Sequence, residues 1–502
     1  MLLQYLIDNI TTEKIVGDTK KEIVKIEYDS KKIKTNDVFV AIRGFDKDGN
    51  DFIDEAIQNG AVAIIYDFDS ENIEEKIKKY EGKVTFVKTN NARISLATIS
   101  AAFYDYPARK LKLIGVTGTK GKTTTVYMIR EILKAAGKKV GMIGTIYNEY
   151  GNVKIESDRT SPESLDLHKL LKDMVDNDIE YVVMEVSSHA LALDRVFGLK
   201  FLIGIFTNLS QEHLDFHETM DNYLEAKVKL LQNSDFVLVN GDDIYAPKIA
   251  KMIDKKIATY GLDNAVNITA TDIRINSNYV EFKMYVNKIL ETVRVNIPGR
   301  FTVYNALAAI GATSMLKSQM PEILAGLVNV KVPGRSEVVE IGKSFTVVID
   351  YAHTPSSLEA ILSATKKHCK GRVICVFGCG GNRDTTKRAM MGEISGRLAN
   401  FSVITTDNPR NENPKIIMDQ IINGVKSTNG LYKAIENRKE AIKFAMKIAW
   451  KNDIIIIAGK GHETYQILKD NKKINFDERK IVIELAEQMP DKNVEVTSVV
   501  LR

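Results

Sequence analysis

Several things are scarce in this 502-residue chain, and each scarcity excludes a class of protein. There are 3 cysteines, Cys369, Cys375 and Cys379, an odd number without metal-site spacing, which suits reduced thiols better than a disulfide framework. The 10 prolines and 31 glycines are too few for a collagen-like or low-complexity chain. The longest apolar runs, such as Phe201 to Phe206 and Ile454 to Ala458, fall far short of the roughly 20 residues that span a bilayer, so no membrane span is expected. A basic leader is missing from MLLQYLIDNITTEK, where Asp8 interrupts any signal-type core, and a cytoplasmic protein is expected. Net charge is also small, +5 from 70 basic and 65 acidic residues interspersed along the chain, which lends nucleic-acid binding little support.

What is present is ordinary globular composition, 44% hydrophobic and 27% charged, in a chain long enough for about three domains at roughly 150 residues each. Residues 1 to about 88 alternate short apolar runs, VFVAI and AVAIIY, with helix-like or turn-like sequence, and suggest a small α/β domain. From KLIGV onward a strand, a glycine-rich loop and an amphipathic helix begin a βαβ pattern. It continues through LDLHKLLKDMVDN as a helix and YVVMEVSSHA, FLIGIFTNLS and DFVLVNGDD as strands, nearly continuous in apolar residues, as a parallel sheet covered on both faces requires. Residues 266 to 296 alternate more and suggest a meander before a helix starting near Tyr304, and KVPGRSE marks a boundary. The last third holds four strand candidates, FTVVID, RVICVF, FSVITT and DIIIIAG, each followed by a polar segment where ligands of open α/β sheets bind.

The strongest local signal is Gly118-Thr119-Lys120-Gly121-Lys122-Thr123-Thr124 between a strand and a helix. Backbone N–H groups in such a loop cradle phosphates, Lys122 can neutralise β/γ oxygens and Thr123 can hold Mg²⁺, so ATP or a similar nucleotide is expected. Val116 occupies the first glycine position of the usual pattern, which makes this a shortened variant. Acids for a metal follow successive strands: Glu185, then Glu212, His213, Asp215 and His217 of EHLDFH, with Lys227 in YLEAK. Toward the C-terminus, DYAHTP, GCGGNRD, DNPR and GKGHE end consecutive strands. There Arg383 and Arg410 offer planar forks for carboxylates and Glu463 can hold an ammonium group, a charge pattern that suggests a zwitterionic ligand.

GTKGKTT, EVSSHAL, HLDFH with YLEAK, YNALAA, PGRSE, DYAHTP, GCGGNRD, DNPR and GKGHE, in that order, resemble the Mur ligase family of cell-wall synthesis along nearly the whole chain. The resemblance implies an α/β protein of three domains: a UDP-substrate-binding domain at 1–88, a central P-loop-type ATPase domain at 89–333 and a Rossmann-like amino-acid-binding domain at 334–502. By motif position, Ser30 would contact the nucleotide part of a UDP-linked substrate, and Thr160, Ser161, Ser187 and Arg195 its muramoyl-peptide side. Gly118, Thr119, Lys120, Gly121, Lys122, Thr123 and Thr124 carry over as the ATP loop, with Asn305, Arg335, Asp350 and His353 completing the ATP site across a domain junction. Lys122, Glu185, His213 and Lys227 would be catalytic, and Thr123, Glu185, His213 and Lys227 would arrange Mg²⁺, Lys227 as a carbamylated lysine. Arg383, Asp407, Asn408, Pro409, Arg410, Gly459 and Glu463 would receive the incoming amino acid.

DNPR is the family's signature for meso-2,6-diaminopimelate, which differs from lysine by an extra carboxylate that Arg410 suits. The activity implied is ATP-dependent addition of that diamine to UDP-N-acetylmuramoyl-L-alanyl-D-glutamate through an acyl phosphate, by a monomer with small-molecule substrates. Lys120, Lys31 and Thr302 stand where the family more often has asparagine, arginine and asparagine, and Ser161 stands for threonine; none removes an indispensable group. Rival readings are the same ligase using lysine, a folylpolyglutamate-type ligase, and a nucleotide-binding regulator without turnover. DNPR with Glu463, the N-terminal UDP-type domain and the intact Lys122, Glu185, Lys227 and Arg410 argue against them in turn.

Overall fold

Strands that are apolar on both faces must be covered on both faces, and this organises the chain into layered sheets. The computed structural model describes residues 1–44, 47–68, 71–276, 278–286 and 289–489. It folds as two units, one of residues 1–269 with 304–326, the other of 270–303 with the residues from 327 on. The last residues of the expected C-terminal domain, 490–502, lie outside the described ones.

In the first unit, a five-stranded sheet takes Lys25–Glu27, Asp37–Val40, Ala61–Tyr66 and Thr85–Thr89 in parallel, with Thr12–Val16 antiparallel at its edge. A second sheet of nine strands has Lys112–Thr117 between Phe201–Phe206 and Tyr181–Glu185. The chain leaves Lys112–Thr117 for Val140–Ile143, returns to fill the gap with Tyr181–Glu185, then crosses to Phe201–Phe206 on the other side. That reversal makes the carboxyl end of Lys112–Thr117 a topological switch point, where open sheets leave a crevice. Gly115 and Gly204 stand in register on the two neighbouring strands. A methyl group at Gly115 would meet Leu230 Cδ1 at 2.7 Å and the Phe201 ring at 2.9 Å, so the missing side chain lets helix Met220–Gln232 seat directly on the sheet. That helix buries Tyr223, Leu224, Val228, Leu230 and Leu231, and Lys227 falls on the same buried stripe.

The second unit carries the meander Thr271–Ile275, Val280–Val286 and Ile289–Val295, close to where alternation suggested it. Its main sheet orders Thr346–Asp350, Ile454–Ala458, Val373–Phe377, Phe401–Ile404 and Tyr432–Ala434 in parallel, with Glu337–Val339 antiparallel at one edge. Ile454–Ala458, last in sequence among these, inserts between Thr346–Asp350 and Val373–Phe377, a second switch point. Apolar cores cover both faces, one around Cys375, Phe377 and Ile456 and the other around Val376, Ile455 and Met446.

The four strand candidates of the last third all form. YVVMEVSSHA does not stay extended: the strand ends at Glu185 and Ser188–Ala192 is helical, because Ser187 caps a helix by accepting the Ala190 N–H. The hairpin Tyr147–Tyr150 with Val153–Glu156 has no counterpart in the sequence reading, although the Gly151-Asn152 turn between two short runs was its signal. Among the described residues, no helix is long and apolar enough to cross a membrane.

Candidate active site

The glycine loop leaves the central strand of the first unit at its switch point. Gly118 at φ 143° and Gly121 at φ 87° make turns that a side chain would strain. A methyl at Gly118 would also collide with Thr207 Oγ1, and one at Gly121 would stand 2.5 Å from Asn305 Oδ1. Gly121 precedes helix Lys122–Ala135, so loop and helix N-terminus present backbone N–H groups together. Lys122 Nζ folds back to donate to the carbonyls of Gly118 at 2.8 Å and Thr119 at 3.0 Å. Asn208, which no motif singled out, clamps the loop: its Oδ1 accepts the Lys120 N–H at 2.9 Å and its Nδ2 donates to the Lys120 carbonyl at 3.0 Å. Its signal was available, since it stands two residues beyond Phe201–Phe206, the strand beside the loop strand. Thr119 Oγ1 lies 3.2 Å from Tyr223 OH, Thr124 is buried in the first helical turn, and Thr125 Oγ1 donates to Asn305 Oδ1 at 3.5 Å.

Glu185 joins this loop to the residues expected on the peptide side of the substrate. It is buried; its Oε2 accepts from Thr123 Oγ1 at 2.9 Å and its Oε1 from the Thr145 N–H at 2.8 Å. Its backbone carbonyl accepts Ser161 Oγ at 2.9 Å, Ser161 Oγ in turn accepts the Ser187 N–H at 3.1 Å, and Thr160 Oγ1 sits 3.1 Å from Thr145 Oγ1. Residues expected to hold the nucleotide and residues expected to hold the substrate thus meet at Glu185, the former at its carboxylate and Ser161 at its backbone carbonyl.

Beside the loop lies an aromatic and imidazole cluster. His189 stacks on Phe216 at 4.5 Å and meets the His213 ring edge-on at 4.8 Å, and the His217 ring lies 4.9 Å from that of Tyr223. His213 adopts φ 57° at the start of the turn Leu214–His217. Burial lowers the pKa of His189 and of His217 to about 4, and lowers that of His213, so these rings are neutral at pH 7. Lys227 is 1% exposed, its nitrogen 4.4 Å from the Tyr223 ring centroid. Burial first, then the Lys122 charge, hold its pKa well below the ordinary lysine value. Among the described residues, no three His, Cys, Asp or Glu side chains are arranged to hold a metal ion.

Ser30 and Arg195 reach a common cavity of about 530 Å³, whose wall also carries Tyr28, Lys31, Arg93 and Arg159. Ser30 Oγ donates to Glu55 at 2.5 Å. Arg195 Nε and Arg93 Nη1 both reach Glu163 Oε2 at 3.2 Å, with Arg159 at 3.7 Å, so three guanidinium groups surround one buried carboxylate and leave an anion-attracting excess. Arg93 escaped the sequence reading because it lies 70 residues from Glu163, whereas Arg159 stands four residues before Glu163, a spacing that was its signal.

In the second unit the four polar segments follow four strands that form one contiguous block of the sheet. Arg410, at φ 50°, donates Nη1 to the Gly381 carbonyl at 3.0 Å, and both Arg410 and the exposed Arg383 flank Gly380. Pro409 is buried against Gly381, and the Asp407 carboxylate fits against Gly459, where a methyl would stand 2.6 Å from Oδ2. Asn408 Nδ2 donates to Glu463 Oε2 at 2.9 Å, and the fully buried Lys460, absent from the expected set, donates to Glu463 Oε2 at 2.8 Å and Asn408 Oδ1 at 3.0 Å. Arg335, Asp350 and His353 gather by Tyr351: Arg335 lies 4.7 Å from its ring, His353 at 4.5 Å, and Asp350 Oδ2 accepts the Ser336 N–H at 2.7 Å. Burial raises the Asp350 pKa against the opposing pull of Arg335.

Residues 22–104 match the Mur ligase family catalytic domain, 116–313 the Mur ligase middle domain and 334–461 the Mur ligase glutamate ligase domain. The chain is 47% identical over 492 residues, 97% of its own length and 100% of the relative's, to UDP-N-acetylmuramoyl-L-alanyl-D-glutamate--2,6-diaminopimelate ligase 1 of Clostridium acetobutylicum. It is 47% identical over 472 residues, 94% of this chain and 96% of the other, to the ligase of that name from Caldanaerobacter subterraneus subsp. tengcongensis. A solved structure of a UDP-N-acetylmuramoyl-L-alanyl-D-glutamate--2,6-diaminopimelate ligase shares the fold with TM-score 0.68 at 27% identity, over 97% of this chain and 99% of that one. With a glycine loop at one switch point, clustered charged side chains at another and likeness of this extent, the chain belongs to the Mur ligase family of ATP-dependent, ADP-forming amide ligases.

Proposed function

We propose that this ligase joins meso-2,6-diaminopimelate to the D-glutamate γ-carboxylate of UDP-N-acetylmuramoyl-L-alanyl-D-glutamate, a step of peptidoglycan precursor synthesis. The observation that carries the choice of amine is Arg410 held beside Arg383 on the Gly380-Gly381 turn, with the Asn408–Lys460–Glu463 group following on the same loops. A guanidinium suits the far carboxylate and a carboxylate suits the neighbouring ammonium of a diamino diacid. Lysine would leave that guanidinium without its partner.

The γ-carboxylate of D-glutamate attacks the γ-phosphorus of ATP, giving an acyl phosphate and ADP. The diamine nitrogen then attacks the activated carbonyl, loses a proton, and phosphate leaves from the tetrahedral intermediate. Gly118, Thr119, Lys120, Gly121, Thr123 and Thr124 cradle the phosphates through backbone and hydroxyl groups, and Lys122 exchanges its carbonyl partners for β/γ oxygens. Asn305 adjoins this loop; Arg335, Asp350 and His353 are assigned to nucleotide recognition by family position. Ser30 and Arg195 hold the UDP substrate from the anion-attracting cavity, and Thr160, Ser161 and Ser187 hold its peptide beside Glu185. Asp407, Pro409 and Gly459 shape the amine pocket.

Lys227 captures CO₂ as a carbamate: its lone pair forms the N–C bond and a proton leaves, which requires the neutral amine that burial favours. The donor set Thr123, Glu185, His213 and Lys227 suits Mg²⁺ in that form, because the carbamate adds an anionic oxygen ligand to the Glu185 carboxylate. Mg²⁺ held there would supply charge neutralisation at phosphoryl oxygens. A cytoplasmic monomer working on small molecules is the form this reading takes.

Product mass after incubation with ATP, the UDP-dipeptide and either diamine tests the proposal. Product from meso-diaminopimelate, with lysine poorer by about a hundredfold or more in kcat/KM, is expected. Product from lysine alone would overturn the Arg410 assignment, and product from neither would overturn the reaction.

A further inference from the structure

The two loops assigned above to the incoming diamine, 407–410 and 459–463, follow strands that are not neighbours. Phe401–Ile404 and Ile454–Ala458 are separated in the sheet by Val373–Phe377, so no ladder of backbone hydrogen bonds ties one loop's base to the other's. A buried arginine does so instead. Arg438 opens helix Arg438–Ile448, and Glu478 opens helix Glu478–Gln488. Both side chains are fully withdrawn from solvent, with Arg438 Nε donating to Glu478 Oε1 at 2.6 Å.

The remaining guanidinium donors reach the two loop bases. Nη1 donates to the Thr406 carbonyl at 3.1 Å and Nη2 to the Ala458 carbonyl at 2.9 Å. Thr406 precedes Asp407, and Ala458 precedes Gly459. One planar fork therefore spans the intervening strand and sets the separation of the two loops.

Two further facts set this arrangement apart from a simple stabilising pair. A cation in the first turn of a helix opposes the helix dipole, so Arg438 does not serve its own helix. Among the described residues Glu478 Oε2 has no hydrogen-bond partner, and buried ion pairs are often no more stabilising than apolar residues of similar volume. What an apolar pair could not do is hold two carbonyl oxygens at a fixed distance.

We propose that Arg438 is a positioning residue for amine specificity, holding Asp407, Asn408 and Arg410 in register with Gly459 and Glu463. This rests on the reading that those loops receive the diamine. Steady-state kinetics of the full-length enzyme test it with Arg438→Lys, which keeps the charge but loses the fork, and with the Arg438→Met, Glu478→Met pair, which keeps volume without either charge. In both, KM for meso-diaminopimelate should rise about tenfold or more, because small displacements of positioning groups are costly. The KM values for ATP and the UDP-dipeptide should stay within about twofold of wild type, the signature of a localised loss.

Glu478→Gln, the mildest change, leaves both carbonyl bonds available and should move the diamine KM less than Arg438→Lys. A wild-type diamine KM in Arg438→Lys, a parallel rise of all three KM values, or a larger effect from Glu478→Gln would each overturn the proposal. Failure of wild-type enzyme to use the diamine would instead overturn the reading on which it rests.

Discussion

Lys227 and Lys460 are both withdrawn from water, at 1% and 0% exposure, but their surroundings differ in kind. Lys460 gives its protons to Asn408 and to the Glu463 carboxylate, so its charge is matched within the fold. Lys227 faces the Tyr223 ring, and among the described residues no carboxylate pairs with it; burial and the charge of Lys122 both oppose its protonation. A paired buried lysine is a fastener, whereas burial without a paired acid favours the neutral amine and its free electron pair. On the proposed function, the contrast separates a residue that shapes the amine pocket from one prepared for covalent chemistry.

The largest effect that could break this contrast is at Lys227. Lys227→Ala should lower kcat by about a thousandfold or more, the scale of losing a group that organises charge in the transition state. Added short-chain carboxylic acids should restore part of it, and wild-type enzyme in ¹³C-labelled bicarbonate should show a carbamate carbon resonance that the variant lacks. Full activity of CO₂-depleted enzyme together with no resonance would end the distinction.

Lys460→Met should act more modestly and elsewhere. Leaving Glu463 and Asn408 without their ammonium partner costs roughly 1.5–3 kcal/mol, so KM for the diamine should rise about tenfold or more while KM for ATP holds. The carbamate resonance should persist. Its loss in this variant would show that the two lysines are not independent.

The smallest effect extends the contrast to imidazole. His168 is buried, its Nδ1 has no hydrogen-bond partner among the described residues, and burial lowers its pKa to about 4. Since the unfolded ring takes up its proton near pH 6.5, stability contributed by the neutral form is complete above that pH and is lost as pH falls toward 4. The loss is at most about 3.5 kcal/mol at about 1.4 kcal/mol per unit. Urea unfolding of His168→Gln between pH 4 and 7 should show a shallower decline than wild type; parallel curves would mean that His168 is not a buried base.

The glycine loop was legible because its residues are contiguous and bracketed by an apolar strand and an amphipathic helix. Lys227 was legible by its place in YLEAK after HLDFH, and Arg410 by its place in DNPR. Asn208, the Arg93–Glu163 pair, Lys460 and Arg438 were not, for a common reason. Each works through partners brought together by tertiary folding, such as Glu478 40 residues beyond Arg438, and in the linear chain each resembles an ordinary surface polar or charged residue. Even the helix at Ser188–Ala192 depended on a cap whose hydroxyl could not be assigned from the apolar run before it.

The sequence by itself determined the α/β class, the succession of buried strands and the loops that follow them, because burial on both faces and the turn chemistry of glycine are local properties of the chain. Tertiary structure alone decided which strand inserts between which, and therefore which loops become neighbours. It also decided that Lys460 pairs with an acid while Lys227, among the described residues, pairs with none and has only the field of Glu212 in favour of its charge, since desolvation and hydrogen bonding depend on what folding places around a charge rather than on what precedes it in the chain.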